Sequence, residues 1–594
     1  MTDAFLNSTM PESTKSKYTQ AKSIWHGLCM TDRSGEYITK GVNFRITSSG
    51  SIRAAECPKK AYSRFKGSTP ITLYGKEDLL IYVYAERDAT KIAFTDTRPD
   101  GSIQILTLKD TNDGTPRSIA KFNVWTGNSD IINGTYAEKY IIYPDKKVAV
   151  KNSDGLYEIS DIMLYNVIEV CKTVTKTINT VWKTWTDNGD GSYTLTKKDS
   201  VSVDSDVKER RSIYAVYDCN DESALPSERT EDGGTSITYI KKADGTLLQT
   251  KTVTTTAYSY EYEATDSVLP DADFITVFGT RVFGVSGSRI FASENGSYAS
   301  YNLDTSEDFD ENNAWYSATQ DGGDFYAITS YGGHVTAFKS DKLYELYNTK
   351  NPFRIKEICN IGAISANSVA CAANVLFFTS HNGVYRYTGS YPKEISEGFI
   401  DRSLFENGKF QLGISGSWDA KYYLHEMTEG GNGALDDFTR HPTFCYDESV
   451  GVWSVLEISE RDEIFLFASN KSGIYAVSSE GEIYRLNTGE YGAAKWKFET
   501  PIYTGGTADV KELIKIQAVI RFHSAGSIRI SAKYDNGEYR VLGELSKDDT
   551  GIYPLYCPVY KSEHIARSFL FECEGDVEIV DFEQIFKAGG KRNA

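Results

Sequence analysis

Val375-Leu376-Phe377-Phe378, a polar turn through His381-Asn382-Gly383, then Val384-Tyr385: this stretch reads as a short apolar strand, a tight turn, and an aliphatic–aromatic doublet that opens the next strand. The phrase returns at Val282-Phe283 with Ile290-Phe291, and at Val335 to Phe338 with Leu343-Tyr344. It returns again at Phe444 to Tyr446 with Val452-Trp453, and at Ile464 to Phe467 with Ile474-Tyr475 and Ile483-Tyr484. Short strands repeating at roughly 40–50 residues with no helix between copies are the signature of propeller blades. Ile81 to Tyr84 with Ile92 to Phe94, and Ile141 to Tyr143 with Gly155-Leu156-Tyr157, read as two earlier hairpins of the same kind. Two early and five later units predict a β-propeller of about seven blades, within the usual range of roughly 4–8. Closing such a ring requires early strands to meet late ones.

Composition agrees. The chain has 594 residues, with 40 Tyr and 28 Phe against 5 Met, and 48 Gly against 14 Pro. Aromatic residues fit pleated, half-buried surfaces and glycines supply turns, so the fold class is all-β. Helical periodicity is confined to Ser13–Trp25 and a short turn near Ile400–Phe405. The formal net charge of −18 argues against the basic footprint of a protein that grips nucleic acid. No run approaches the roughly 20 apolar residues of a membrane helix, and the polar start lacks an apolar leader core, so a soluble chain without secretion signal or membrane insertion is expected. Nine cysteines, an odd number without a C-x-x-C pair, read as reduced core thiols.

The texture divides the chain into an N-terminal arm (1–45), a first part of the propeller (46–166), an inserted small β domain (167–267), the rest of the propeller (268–492) and a C-terminal β-sandwich (493–594). In the insert Thr and Ser crowd Thr173 to Thr180 and Thr250 to Thr256, the doublets vanish, and Asn188-Gly189-Asp190-Gly191 and Asp232-Gly233-Gly234 mark hairpins. Ser212 to Tyr217, running on to Ser223-Ala224-Leu225-Pro226-Ser227, reads as a fibronectin-like sandwich strand and its loop. Near the C-terminus Ile514, Ile516, Ala518, Ile520 and Phe522 alternate at period two, and Asp535-Asn536-Gly537 is a strong hairpin signal.

Local catalytic motifs are missing. The seven histidines (His26, His334, His381, His425, His441, His523, His564) have no i, i+4 pair of the kind a helical zinc site uses. Gly284-Val285-Ser286-Gly287-Ser288 and Gly413-Ile414-Ser415-Gly416-Ser417 each break the nucleophile-elbow pattern at its last position. Ser380-His381-Asn382-Gly383 and Ser469-Asn470-Lys471-Ser472-Gly473 echo a sialidase Asp box without its Asp. No catalytic, cofactor-binding or metal-binding residues are assigned, and the chain is expected not to be an enzyme, although carboxylates from different blades leave a propeller-type glycoside hydrolase as an alternative. Asp304, Glu307, Asp308, Asp310 and Glu311 form the densest acidic run; a solvated loop and a cation site both remain open there. Asp187-Asn188-Gly189-Asp190-Gly191 reads as a hairpin turn, and the sequons at Asn7, Asn133 and Asn295 as incidental. The doublet aromatics Phe291, Tyr344, Tyr385, Trp453 and Tyr484 read as core between sheets, with a glycan- or receptor-binding adhesin as the rival use of exposed rings.

Gly362-Ala363-Ile364-Ser365-Ala366-Asn367-Ser368-Val369-Ala370, Val375 to Phe378, Asn382-Gly383-Val384-Tyr385-Arg386-Tyr387 and Glu394-Ile395-Ser396 together resemble a phrase in virion proteins of tailed bacteriophages. These are the β-propeller tail nozzle, tail tubular or hub subunits, also called tail stabilisation proteins. Trp25-His26-Gly27-Leu28, Tyr37 and Asn43 are similar to that family's opening, whereas Glu56-Cys57-Pro58-Lys59-Lys60 stands where it usually has an Arg-Pro-Gly-like element. The resemblance implies a structural protein of the virion tail, assembled in the bacterial host cytoplasm. It implies a homo-oligomeric ring, often a hexamer, below the head–tail adaptor, that anchors tail fibres or receptor-binding proteins. Double-stranded DNA would pass through it without specific binding during genome ejection, which an acidic or neutral wall would permit.

Overall fold

Leu79–Glu86, Val375–Ser380 and Gly473–Ser478 are buried along all or nearly all of their length. A strand loses solvent on both faces only when its sheet lies between two others. The structure, a computed structural model, shows how. It describes residues 19–23, 25–30, 36–95, 102–125, 136–162, 164–218, 228–264, 269–301, 311–348, 351–427, 435, 438–492, 495–505, 508–559 and 563–588.

Among them, seven four-stranded antiparallel sheets of short strands follow one another, spanning 69–109, 118–161, 274–318, 325–359, 369–394, 415–457 and 464–485. The last has three strands from its own stretch and takes its fourth, Lys59–Tyr62, from near the chain start, through Tyr484↔Lys60 and Arg485↔Lys59. Each gap between consecutive sheets is filled by apolar side chains: Ile81 with Ile142, Ile141 with Val282, Phe283 with Val335, Phe338 with Leu376, Phe377 with Tyr422 in a cluster continuous with the C-terminal core, Tyr423 with Ile474, and Tyr475 with Tyr82. Gaps equal sheets in number only when the row closes on itself, so the chain is a β-propeller. The doublet aromatics lie in these gaps, with Phe291, Tyr344, Tyr385, Trp453 and Tyr484 all at 9% exposure or less.

The C-terminal region is built on two long strands, Lys511–Tyr534 and Arg567–Ala588, paired with each other along their length. Phe571 and Phe582 belong to one strand, eleven residues apart, and a straight strand would separate them by about 36 Å at ~3.3 Å per residue. Their ring centroids are 5.2 Å apart. The strand therefore folds back, and the bend falls where Phe522 and Gly526 lose register opposite Gly575, whose φ is +86°. One half carries Gly551–Pro558, the other Arg540–Lys547 and Trp496–Glu499, and Ile516, Ile520, Ile530, Phe571 and Phe582 fill the space between. This is the expected sandwich, made from one sheet bent double.

Two boundaries differ from the sequence reading. The N-terminal segment is no separate arm: Thr19–Ser23 pairs with 582–586, Lys40–Val42 with 497–499 and Ile52–Ala54 with 578–579, so these residues complete the sandwich. Thr19–Ser23 is consequently a strand where a helix was expected, because its backbone groups are bonded by a neighbouring strand rather than by their own chain. The short helix near Ile400–Phe405 is present at Arg402–Glu406, where the Asp401 carboxylate accepts the Ser403 N–H. The second difference concerns the insert, which forms one four-stranded sheet rather than two packed layers; the fibronectin-like reading is corrected.

Candidate functional site

Buried polar clusters occur within the propeller. The Glu345 carboxylate, 1% exposed, lies 2.5 Å from His334 Nε2 and accepts the Tyr347 and Tyr387 hydroxyls. Burial, reinforced by that carboxylate, keeps the Tyr387 phenol protonated well above its ordinary value. His425 is fully buried between Thr443 and Glu463, at 3.0 and 2.9 Å, and burial pulls its pKa down. These groups satisfy one another. A cleft of about 900 Å³ separates propeller and sandwich, lined in part by Phe438, Glu457, Glu460, Lys497 and Arg529. There Glu457 is pushed up by burial, while Arg529 pairs with Glu544 at 2.6 Å. Among the described residues no three His, Cys, Asp or Glu side chains are placed to hold a metal ion. The acidic run from Asp304 to Asp310 lies outside the described residues.

The insert is a separate four-stranded sheet. Its strands are β1 (Leu164–Asp187), β2 (Tyr193–Asp218), β3 (Arg229–Lys241) and β4 (Leu247–Ala264), of 24, 26, 13 and 18 residues. At ~3.3 Å per residue β1 is about 80 Å long. β1 pairs with β2 from Leu164↔Asp218 to Asp187↔Tyr193 and with β4 from Tyr165↔Ala264 to Trp182↔Leu247, while β3 pairs with β4. The order is β2-β1-β4-β3, so β2 and β3 are edges. Glycines make the turn at the tip, with Gly189 at φ +81° and Gly191 at +85°. Asp187 and Asp190 accept the N–H groups of Gly189 and Ser192 at 3.0 and 2.9 Å, so this stretch is the expected hairpin turn. Aromatic packing stiffens the tip: Trp185 meets Tyr193 edge-on at 5.5 Å, Tyr193 meets Tyr239 at 4.9 Å, and Lys241 lies over Trp185 while bonding Asp187 at 2.6 Å. That contact raises the Lys241 pKa and lowers that of Asp187.

The two faces of this arm differ. Successive side chains on a strand alternate between faces, and the register places Thr173, Thr175, Thr177 and Asn179 beside Thr256, Thr254, Thr252 and Thr250. Hydrogen bonds join three of these pairs, Thr173–Thr256 at 3.1 Å, Thr175–Thr254 at 3.5 Å and Thr250–Asn179 at 2.7 Å. Ser202, Asp204 and Asp206 of β2 and Ser236 and Thr238 of β3 extend the same rows. The opposite face carries Val174, Lys176 and Ile178 with Val253 and Lys251, flanked by Val201, Val203, Val207 and Ile237, which are between 43% and 57% exposed. Sequence reasoning found the Thr-rich runs but not the faces, since register is needed to pair them.

No family model matches the chain, and no curated protein does. Among solved structures it is similar to an exo-β-1,3-galactanase from Phanerochaete chrysosporium with galactose, at 8% identity and a TM-score of 0.20, over 95% of this chain and 100% of that one. It is also similar to a family 43 arabinoxylan arabinofuranohydrolase from Bacillus subtilis with cellotetraose, at 9% identity and a TM-score of 0.18, over 88% and 96%. A tryptic core variant of Cry1Da from Bacillus thuringiensis follows, at 12% identity and a TM-score of 0.12, over 45% and 51%. The first two are glycoside hydrolases, so the expectation that this chain is no enzyme is withdrawn: scattered histidines and missing local motifs do not exclude chemistry assembled from several blades. At these TM-scores the likeness transfers no activity to the chain.

Proposed function

We propose that the chain is a structural subunit of a bacteriophage tail, a nozzle or hub ring that extends the DNA-ejection channel below the head–tail adaptor and anchors tail fibres or receptor-binding proteins. The observation that carries this reading is the arm. A sheet about 80 Å long whose two edges and two faces meet no further strand or layer among the described residues is a template for strand addition unless like copies close it. β1 and β3 run one way and β2 and β4 the other, so the β3 edge of one copy meets the β2 edge of the next antiparallel. At equal height along the arm Glu231 faces Lys208, Ile237 faces Val203 and Tyr239 faces Val201. Such a head-to-tail contact generates a ring when the rotation closes, and over the 13 residues of β3 the closed tube has no edges. The resemblance of the 362–396 stretch to tail nozzle and hub proteins adds the location in the virion and a ring of about six copies, wide enough for duplex DNA.

Imaging of purified full-length protein and of phage particles tests this. The expected result is a ring with its arms side by side along the tail axis. A chain that stays monomeric with its adaptor overturns the reading.

A further inference from the structure

We infer that the hydroxyl-rich face of the arm lines the bore of the ring and is the surface along which duplex DNA moves, while the valine- and lysine-bearing face turns outward. The inference rests on the ring reading proposed above and adds to it the side of the sheet that meets the polyanion. Three consecutive rows set the argument. They run Asp206, Thr175, Thr254; then Asp204, Thr177, Thr252, Ser236; then Ser202, Asn179, Thr250, Thr238. None of these three contains a cation, and two Asp carboxylates repel phosphate; the cations of this face, Lys208, Arg210 and Arg229, stand in the two rows nearer the propeller, with Glu231 beside them. Rows of the opposite face alternate with these and hold Lys176 and Lys251. A cation at each of these positions, repeated around a ring, would bind phosphates with release of counterions and hold the DNA at low salt. Hydroxyls exchange hydrogen bonds with water and with passing phosphate oxygens without a net charge to hold them.

The other face gives an independent reason. Val201, Val203, Val207 and Ile237 are large apolar groups left in water on that face, whereas the hydroxyl face exposes Ile240 near the tip. A bore carrying a hydrated polyanion offers them no cover, whereas the outer wall of the tube is open to a second layer of protein. The Thr–Thr and Thr–Asn hydrogen bonds across the centre of the hydroxyl face also hold those side chains flat against the sheet, which leaves the stretch of wall from Thr175 to Asn179 without projecting long side chains.

Neighbouring residues of β4 test the assignment, because Thr254 and Thr255 share a strand and a residue type but lie on opposite faces. In purified particles triggered to eject, Thr254→Lys is expected to slow DNA release roughly tenfold at low salt, with recovery as salt rises, as counterion release requires. Thr255→Lys is expected to leave the rate unchanged. A slowing confined to Thr255→Lys overturns the face assignment, as does equal slowing by the two. Should lysine prevent assembly, Thr254→Cys and Thr255→Cys in assembled rings give the same answer. A bulky polymer-linked maleimide should label Thr255→Cys and spare Thr254→Cys, while a small maleimide labels both; equal bulky labelling overturns the inference. Failure of the ring reading has a separate signature, since wild-type protein would then form no ring at all.

Discussion

β1 of the arm and the sandwich strand Lys511–Tyr534 are each 24 residues long, yet one is a beam and the other a hinge. In the sandwich strand Leu513, Ile516, Ala518, Ile520 and Phe522 put an apolar row on one face, and the register breaks between Phe522 and Gly526. The strand can therefore bend and bury that row against its own second half. β1 carries Thr at 173, 175 and 177 on one face and a mixture on the other, so folding back would bury hydroxyls against a poor apolar partner. Its bulges, near Val167 and between Val181 and Trp185, shift register without a glycine hinge. Length alone thus decides nothing; the apolar row and the glycines decide whether a long strand closes on itself or remains for others to close.

The comparison can be broken at several points, in descending order of effect. Replacing 168–261 by a short polar loop should abolish the ring in sedimentation while leaving the unfolding transition of propeller and sandwich in place. Loss of that transition as well would mean the arm supports the body. Phe571→Ala, at a fully buried ring stacked on Phe498 at 4.6 Å, should cost about 3–5 kcal/mol in chemical unfolding. Gly575→Ala places a Cβ 2.4 Å from the Ala525 carbonyl oxygen at φ +86°, and about 1–3 kcal/mol of strain is expected. A neutral result there would show that the sandwich bends without its glycine. On the valine-bearing face of the arm, Thr255→Ala should change stability by no more than about 0.5 kcal/mol.

A pH titration sharpens the same contrast, because Glu578 is buried in the sandwich whereas Asp187, a carboxylate whose pKa is also lowered, lies exposed at the tip of the arm. Burial alone would raise the Glu578 pKa, but Ser51 at 2.5 Å, His523 at 2.7 Å and Arg521 at 3.1 Å hold it below its ordinary 4.5. A lowered folded value means that its stabilisation is complete above pH 4.5 and is lost as pH falls through the folded value. Glu578→Gln should make the acid limb of the unfolding profile shallower than that of the wild type. Superimposable profiles would remove this carboxylate from the account.

The aliphatic–aromatic doublets made the propeller legible, because an aromatic at a repeated strand position has to fill a repeated gap; Trp453 and Tyr484 do so. Lys515 to Phe522 announced a half-buried strand in the same way. Thr19–Ser23 could not be read, since Thr-Gln-Ala-Lys-Ser has no apolar pattern and is held by backbone pairing with residues near the other end of the chain. The insert was legible as β but not as a single layer: Thr suits any pleated surface, and layer number depends on what lies opposite.

The strand Lys59–Tyr62, which completes the sheet of Ile464–Arg485, has a consequence for synthesis. More than 400 residues separate Lys60 from its partner Tyr484, and the segment from Thr19 to Ala54 waits still longer for the sandwich. Contacts so distant in sequence slow folding, and on the ribosome they cannot form until the later partner has been synthesised. The arm, whose hairpins are local, is free to fold long before. If the β2 and β3 edges join between copies as proposed, such an edge would then exist on chains whose ring of sheets is still open, and arms of unfinished chains would have to be kept apart.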